Sequence, residues 1–494
     1  MTNICIIATI IIYLVAMLLV GFAYSKSNND STDFYLGGRK MGPLVTAMSA
    51  EASDMSSWLL MGMPGLAYLT GIASPGWTAI GLALGTWLNW LIVARRLRRY
   101  SANLEAITVP QFLSLRFHDQ RNLLNALGAV IIIVFFVPYT ASGFAACGKL
   151  FHSLFGVDYM AAMVVSACVI VGYTITGGFR AVTTTDLIQS IVMSLALVAV
   201  LVYGIGAAGG WDAVVANAQS LPGYLTMMAS HNAAEGTATS YSLLDIVSTM
   251  AWGLGYFGMP HIIIRFMSLK SEKELRKSSV IGISWTTIIL IMSALTAIAG
   301  RLYLGEIEDS STVFITMVRR IFPALVSGLL LSAILSAAMS TADSQLLAAS
   351  SAFASDVYKP VIRKKASDSE MLWAGRIVVI VIAVVALMIA SDPNSGSIMG
   401  LVENAWGVFG AAFGPVILLS LFWKRLTFGG TVAGIAVGAA VDILWLVFLS
   451  STDIYEIVPG FAAGLLAAVV VSLLSKGPGK DVEDLFDRAV DLKS

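Results

Sequence analysis

Apolar residues along this 494-residue chain gather into thirteen long runs separated by short polar stretches. The runs lie near 4–23, 43–70, 76–94, 122–148, 158–177, 183–208, 243–266, 279–301, 325–350, 371–391, 397–423, 429–450 and 458–475. Most approach the roughly 20 residues that a helix needs to cross about 30 Å of hydrocarbon. The pattern predicts an all-α multi-pass membrane protein of about 13 transmembrane helices. The first run has no Lys or Arg before it and no small-residue cleavage site after it, and reads as a retained helix in preference to a signal peptide. Polar stretches are confined to 95–121, 209–242, 351–370 and a charged tail at 476–494, with no soluble domain among them. Segment 311–322, STVFITMVRRIF, predicts a short surface helix before the next span.

Two runs break the pattern. Met48–Ser57, MSAEASDMSS, puts Glu51, Asp54 and four serines inside the second run, and Trp252–His261, WGLGYFGMPH, puts three glycines and Pro260 inside the seventh. Transporters built from two inverted five-helix repeats carry interrupted helices at corresponding positions of the two halves. If the repeats are 43–208 and 243–424, these two runs are the first helix of each. The remainder divides into an extra helix and inner loop (1–42), an outer loop (209–242), and two further helices with a cytoplasmic tail (425–494). The two halves show no clear letter-for-letter repeat, so this correspondence is one of position.

Composition agrees with the periodicity: 57% of residues are apolar and 12% charged, against about 25% charged in soluble domains. A net charge of zero conceals an asymmetry. With the N-terminus outside, the clusters around Lys26, Arg39 and Lys40, Arg95–Arg121, Lys270–Lys277, Lys359–Lys365, Lys424 and Arg425, and the tail all fall inside. Lys149, Arg301, Arg319 and Arg320 fall outside, and the long outer loop 209–242 has no Lys or Arg. The expected location is therefore the cell membrane, with the C-terminus cytoplasmic and the lipid bilayer as surroundings.

Several chemistries are disfavoured. Cys5, Cys147 and Cys168 are isolated and the four histidines are scattered, so neither a disulfide framework nor a set of metal ligands is in view. There is no G-x-x-x-x-G-K-[ST] and no nucleophile and base pair, so neither ATP use nor an enzyme activity is expected, nor a nucleic-acid partner or obligate protein partner. Gly253-Leu-Gly255-Tyr-Phe-Gly258 has the letters of a dinucleotide-binding turn, and Glu272 even stands 19 residues after Gly253. That turn requires a preceding strand, whereas LLDIVSTMAW belongs to a run of spanning length. The same letters recur by chance at Gly204–Gly209. Most glycines in membrane helices, including those in GTWLNW and AGIAVGAA, serve close packing. For Gly253, Gly255, Gly258 and Pro260 together an unwound segment is expected, with Trp252, Tyr256 and Phe257 forming an aromatic wall for a small solute.

Asp54 is the strongest single-residue signal, because a carboxylate at the centre of a membrane helix costs at least about 2.5 kcal/mol and normally faces a cavity, a cation or a partner. A structural hydrogen bond to a neighbouring helix is the alternative. Glu51 lies three residues earlier on nearly the same face, as a second acid or a packing residue. In the ninth run, Ser332, Ser336 and Ser340 recur every four residues, followed by Thr341, Asp343 and Ser344. Hydroxyls beside the free carbonyls of a broken helix offer the oxygen-only coordination that suits Na+.

FYLGGRKMGPLVTAMSAEASDMSSWLLMGMPG (34–65), AWGLGYFGMPHIIIRFM (251–267) and LLLSAILSAAMSTADSQLL (329–347) resemble the sodium/solute symporter family, and most closely its proline-carrying branch. The likeness extends through IVFFVPYTASG (133–143), GGFRAVTTTDLIQ (177–189) and AWGVFGAAFGPVIL (405–418). It implies a leucine-transporter type fold with one extra N-terminal helix and two extra C-terminal ones. It implies a sodium site at Ala52, Met55, Ala337, Ser340 and Thr341, and a proline site at Ser56, Trp58, Tyr139, Trp252, Tyr256 and Pro260. Asp54, Asp186 and Arg39 match residues of coupling or gating.

The resemblance therefore implies inward symport of L-proline with Na+ as coupling ion, by alternating access and without another cofactor. Another small solute, H+ in place of Na+, or a non-transporting sensor of the same fold are the alternatives. Ser57, Glu51 and Asp343 depart from the family pattern, which has glycine, a small residue and serine there. Asp343 with Asp186 is a candidate second cation or proton site.

Overall fold

The computed structural model describes residues 2–28, 30–391 and 398–490. The start of the eleventh predicted run, at 397, and residues 491–494 of the predicted tail lie outside them.

Among the described residues, ten helices are long and apolar enough to cross a membrane. They are α1 (Thr2–Tyr24), α4 (Ala73–Asn103), α5 (Leu123–Phe155), α6 (Tyr159–Ala207), α9 (Leu275–Leu304), α10 (Ala324–Ala352), α11 (Asp368–Ala390), α12 (Ile398–Phe422), α13 (Phe428–Phe448) and α14 (Ile457–Leu474). Between them lie two interrupted pairs: α2 (Pro43–Met55) with α3 (Gly62–Thr70), and α7 (Leu243–Met250) with α8 (Pro260–Ser268). Polar side chains at the ends start several of them. Asp158 Oδ1 accepts from Ala161 N at 2.9 Å before α6, Thr427 Oγ1 accepts from Gly430 N at 3.1 Å before α13, and Ser242 and Asp245 form a reciprocal cap on α7.

Two elements differ from the apolar pattern. The predicted runs 158–177 and 183–208 form one 49-residue helix, α6, in which only Gly178 leaves helical geometry (φ 60°, ψ −158°). Glycine reaches that conformation without Cβ strain, so the chain turns on one residue and needs no loop. The all-α expectation also omits a hairpin of β1 (Ala229–Asn232) and β2 (Thr237–Ser240), paired antiparallel from Ala229 with Ser240. The short helix expected at 311–322 is present as Val313–Ile321, and the charged tail forms the helix Lys480–Val490.

α10 is buried on nearly all sides from Ser327 onward, so serine and alanine dominate it where other helices reach it closely. α1, α6, α11, α13 and α14 instead expose Leu19, Val202, Met388, Phe448 and Leu474, apolar side chains suited to lipid. α4 contains a π-turn at Asn89–Val93. On its near side Gly81 and Gly85 pack against the interruption between α7 and α8, and on its far side lie Arg95–Arg99.

Candidate functional site

The two interruptions meet in the middle of the bundle. α2 ends at Met55, and Ser56 takes φ 44° and ψ −174°, a conformation that costs an ordinary residue about 1–3 kcal/mol. Its Oγ accepts a hydrogen bond from Trp58 N at 3.2 Å, which supports the turn locally. The second interruption, Ala251–Phe257, winds as a tight 3-10 helix before Pro260 opens α8. Its glycines serve close approach: none of Gly253, Gly255 and Gly258 has positive φ, a Cβ on Gly253 would lie 2.2 Å from Gly81 O, and one on Gly255 would lie 1.9 Å from Trp406 Nε1. The carbonyls of the segment are taken by side chains, Trp252 O by Trp406 Nε1 at 2.7 Å and Tyr256 O by Asn89 Nδ2 at 3.0 Å. A helix, α7, precedes the glycines, so the dinucleotide turn is excluded on structure as well.

Between the interruptions lies a small, nearly filled cavity of about 20 Å³ lined by Asp54, Met55, Ser56, Trp58, Leu82, Tyr139, Trp252, Val402 and Trp406. The Trp58 and Trp252 rings stack with centroids 6.0 Å apart, and Trp252 also packs on Trp406 (6.2 Å) and Tyr455 (5.4 Å). The buried Trp58 Nε1 and Tyr139 hydroxyl have no protein partner and are free to bind a solute. Tyr256 donates its hydroxyl to Asp54 Oδ2, joining one interruption to the other. The chemistry of the lining, indole faces with a few free polar groups, suits a small molecule with an apolar body and polar ends, which this closed arrangement would have to open to admit.

Of the residues expected at the solute site, Ser56, Trp58, Tyr139 and Trp252 line the cavity. Tyr256 stands behind the wall with its hydroxyl on Asp54, and Pro260 sits at the first position of α8, outside the lining. Leu82, Val402 and Trp406 line it without having been singled out in the sequence. Nothing in AWGVFG separates a wall tryptophan from an ordinary packed one.

The expected ion ligands gather beside the same break. Ser340 Oγ donates to Ala52 O at 2.8 Å and lies 3.3 Å from Ala337 O, and Thr341 Oγ1 donates to Ala337 O at 3.2 Å. Two carbonyls and two hydroxyls on α2 and α10 are thus within reach of one another, a donor set of hard oxygens that fits Na+. Met55, the fifth expected ligand, ends α2 one turn beyond Ala52 and lines the cavity.

A second buried centre joins α2, α6, α8 and α10. Ser49 Oγ donates to Asp186 Oδ2 at 2.6 Å, and the Arg265 guanidinium lies 3.2 Å from the same oxygen. Arg265 also donates to Ser49 Oγ at 3.0 Å, to Ser344 Oγ and to His261 O. Asp343 accepts from Tyr173 OH at 2.6 Å and from Ser344 Oγ at 3.1 Å. Asp186 and Asp343 are therefore brought together, but with Arg265 as a fixed positive charge against Asp186. Arg265 was legible as a lone charge in the apolar stretch HIIIRFM, a signal that the glycines beside it overshadowed. Glu51 accepts from Trp90 Nε1 at 2.7 Å and Thr286 Oγ1 at 2.6 Å, which ties α2 to α4 and α9.

Arg39, in the turn before α2, donates to Met267 O at 2.8 Å, Ser101 O at 3.0 Å and Ala106 O at 2.5 Å. Burial, with Arg98 nearby and Glu105 opposing it, lowers its guanidinium to about 10, so it stays charged at neutral pH. Arg98 Nε donates to Leu269 O at 2.5 Å, and Met41 and Leu269 form a backbone bridge. These contacts close the end of the bundle below the cavity.

Residues 34–438 match the family model for the sodium:solute symporter family. The chain is 45% identical to the high-affinity proline transporter PutP of Bacillus subtilis, over 97% of this chain and 100% of that one. It is 44% identical to the sodium/proline symporter of Haemophilus influenzae, over 97% of both chains. Among solved structures it resembles a Na+-coupled sialic acid symporter in a substrate-bound outward-open state, with TM-score 0.80 and 20% identity over 96% of this chain and 98% of that one. It also resembles MhsT in complex with L-phenylalanine, with TM-score 0.56 and 14% identity over 88% of this chain and 98% of that one.

Proposed function

The chain belongs to the sodium:solute symporter family, and on that premise we propose that it carries L-proline into the cell together with Na+ by alternating access. The names of relatives at 40–45% identity point to both solutes. The observation that carries the reading is the position of Asp54. It lines the solute cavity, is held by Tyr256 from the opposite interruption, and stands two residues from Ala52, whose carbonyl meets Ser340.

In this reading Na+ takes the oxygens of Ala52, Met55, Ala337, Ser340 and Thr341. The Ser340 hydroxyl turns its hydrogen away from Ala52 and offers a lone pair to the ion, so that ion binding fixes α2 against α10. The break at Ser56 then has a set geometry, and Ser56, Trp58, Tyr139 and Trp252 enclose proline, its ring against the indoles and its charged ends toward the Trp58 and Tyr139 donors and Asp54. Each solute favours the state that binds it better, and the Na+ gradient plus about 2.3 kcal/mol per charge per 100 mV supplies the drive. Arg39 holds the cytoplasmic end shut until both sites are filled. Arg265 neutralises Asp186, and its release from that carboxylate would free Asp186, with Asp343, for a second cation or proton.

The proposed span count is thirteen. It is supported by the ten long helices, the turn at Gly178 that divides α6 and the two interrupted pairs. The two inverted repeats are 43–208 and 243–424, and the Lys/Arg distribution supports an outer N-terminus and a cytoplasmic C-terminus. Radiolabelled proline uptake into proteoliposomes tests the reading. Accumulation is expected under an inward Na+ gradient, and its absence under both Na+ and H+ gradients would refute proline symport.

A further inference from the structure

Two acidic side chains converge, with a third nearby, at the hairpin-bearing end of the bundle, next to the cavity but outside its wall. Glu403 is on α12, Asp442 on α13, and Glu456 immediately precedes α14. Asp442 is fully buried and neither of its carboxylate oxygens has a partner; Glu456 Oε1 is buried and unpartnered as well. The two side chains converge on the bare Cα of Gly407. A Cβ there would lie 3.1 and 3.4 Å from the Asp442 oxygens and 3.2 Å from Glu456 Cγ.

No Lys, Arg or His among the described residues forms an ion pair with any of the three. Among the described residues Tyr455 also faces them, its hydroxyl donating to the backbone carbonyl of Glu403 at 2.9 Å. A carboxylate buried without a partner takes up a cation or a proton in preference to staying charged, and a second acid alongside strengthens that tendency. The described residues contain no group of three or more His, Cys, Asp or Glu side chains arranged to hold a metal ion. A proton needs only the pair.

We propose that Asp442 and Glu456 form a proton-binding site, filled from the hairpin face through Glu456, that governs how readily the Trp252 side of the cavity opens. Both arms of the pair lead to Trp252. Gly407 follows Trp406, whose indole donates to Trp252 O at 2.7 Å, and Glu456 follows Tyr455, whose ring packs 5.4 Å from that of Trp252. When the proton leaves to external water, two like charges face each other over Gly407 and push α13 and the start of α14 apart, loosening the Trp406 and Tyr455 contacts that hold Trp252. The opening step rests on the reading of the cavity as the solute site; the proton site does not.

Infrared spectroscopy of the full-length protein in liposomes, with neither proline nor a Na+ gradient, tests the site directly. A protonated carboxyl band that disappears on raising the pH is expected, and it should be diminished in Asp442→Asn and in Glu456→Gln. A band unchanged in both variants overturns the proposal, as does one that Na+ removes at constant pH, which would assign the pair to Na+. Proline affinity against external pH is the second readout. Wild type should show a pH dependence that Asp442→Asn abolishes, and the same dependence persisting in both variants overturns the link to Trp252. Failure of wild-type liposomes to take up proline, with the band behaving as expected, would count against the transport reading alone.

Discussion

Tyr256 donates its hydroxyl to Asp54 Oδ2, so each interrupted helix holds the other at the point where the cavity is built. Tyr256→Phe keeps the ring against Trp406 and removes only that donor. Loss of a hydrogen bond to a charged group is worth about 1.5–3 kcal/mol, or about 10- to 150-fold in an equilibrium constant. Because the hydroxyl touches Asp54 and no part of Tyr256 is in the wall, Na+ and proline should both bind more weakly. Measuring each half-saturation constant for uptake checks this, and a loss confined to proline would place Tyr256 in the wall after all.

Ser340→Ala removes the side-chain oxygen that reaches from α10 to Ala52. The Na+ concentration for half-maximal uptake should rise about tenfold or more, equivalent to about 1.4 kcal/mol, while proline affinity at saturating Na+ stays close to wild type. Uptake titrated against Na+ at fixed proline measures both.

Removing one member of the buried Asp186 and Arg265 pair should destabilise more than removing both. A lone buried charge costs about 3–5 kcal/mol, whereas a neutral pair is often tolerated. Thermal unfolding in detergent is expected to fall for Asp186→Asn and to recover in part with Arg265→Gln added. The proposed second cation site gives a separate expectation: a Hill slope for Na+ above one that drops in Asp343→Asn.

Arg39 binds three backbone carbonyls at the closed end. Arg39→Gln should raise the share of molecules open on that side and slow net uptake. Thiol labelling of Met267→Cys, in a background without native cysteines, should be faster in the variant; an unchanged rate would show that the arginine does not latch this end.

At the other end Lys149 bonds Asp309 at 2.6 Å and Ser311 at 2.7 Å, anchoring the approach to the helix Val313–Ile321 on α5. Partial burial opposes ionisation of Asp309, but bonds from Lys149 and Ser311 outweigh it and hold its carboxyl below the ordinary range. A depressed folded value means that the stabilisation is complete above pH about 4 and fades as pH falls through the lower folded value. Both side chains are partly exposed, so a double-mutant cycle with Asp309→Asn and Lys149→Met should give no more than about 0.2–1 kcal/mol at neutral pH, and close to zero well below pH 4.

The apolar runs placed the long helices because a membrane span is announced by composition over many residues. Asp54, Ser340 and the glycines of 253–258 were legible for a related reason, since polar or flexible residues in such runs need an explanation. Trp406 and Val402 were not, because a wall residue and a packed one carry the same letters until the fold turns them toward a space. The hairpin at 229–240 escaped notice because strands of four residues, ASHN and TATS, are too short for alternation to register. Gly178 concealed itself in the opposite way, making a turn with one residue where a loop was expected.

The π-turn at Asn89–Val93 sets the relative rotation of the two ends of α4. Wound as a plain α-helix, the same sequence would swing everything beyond the turn by about 100°, the angle of one residue. Arg98 would then miss Leu269 and Arg99 would miss Glu272, although Gly81 and Gly85 still met the second interruption. One surplus residue therefore keeps the guanidinium face in phase with the glycine face. Taking out Ile92, half-exposed on the outside of the turn, preserves that phase, whereas adding a residue there destroys it, so this helix tolerates shortening better than lengthening.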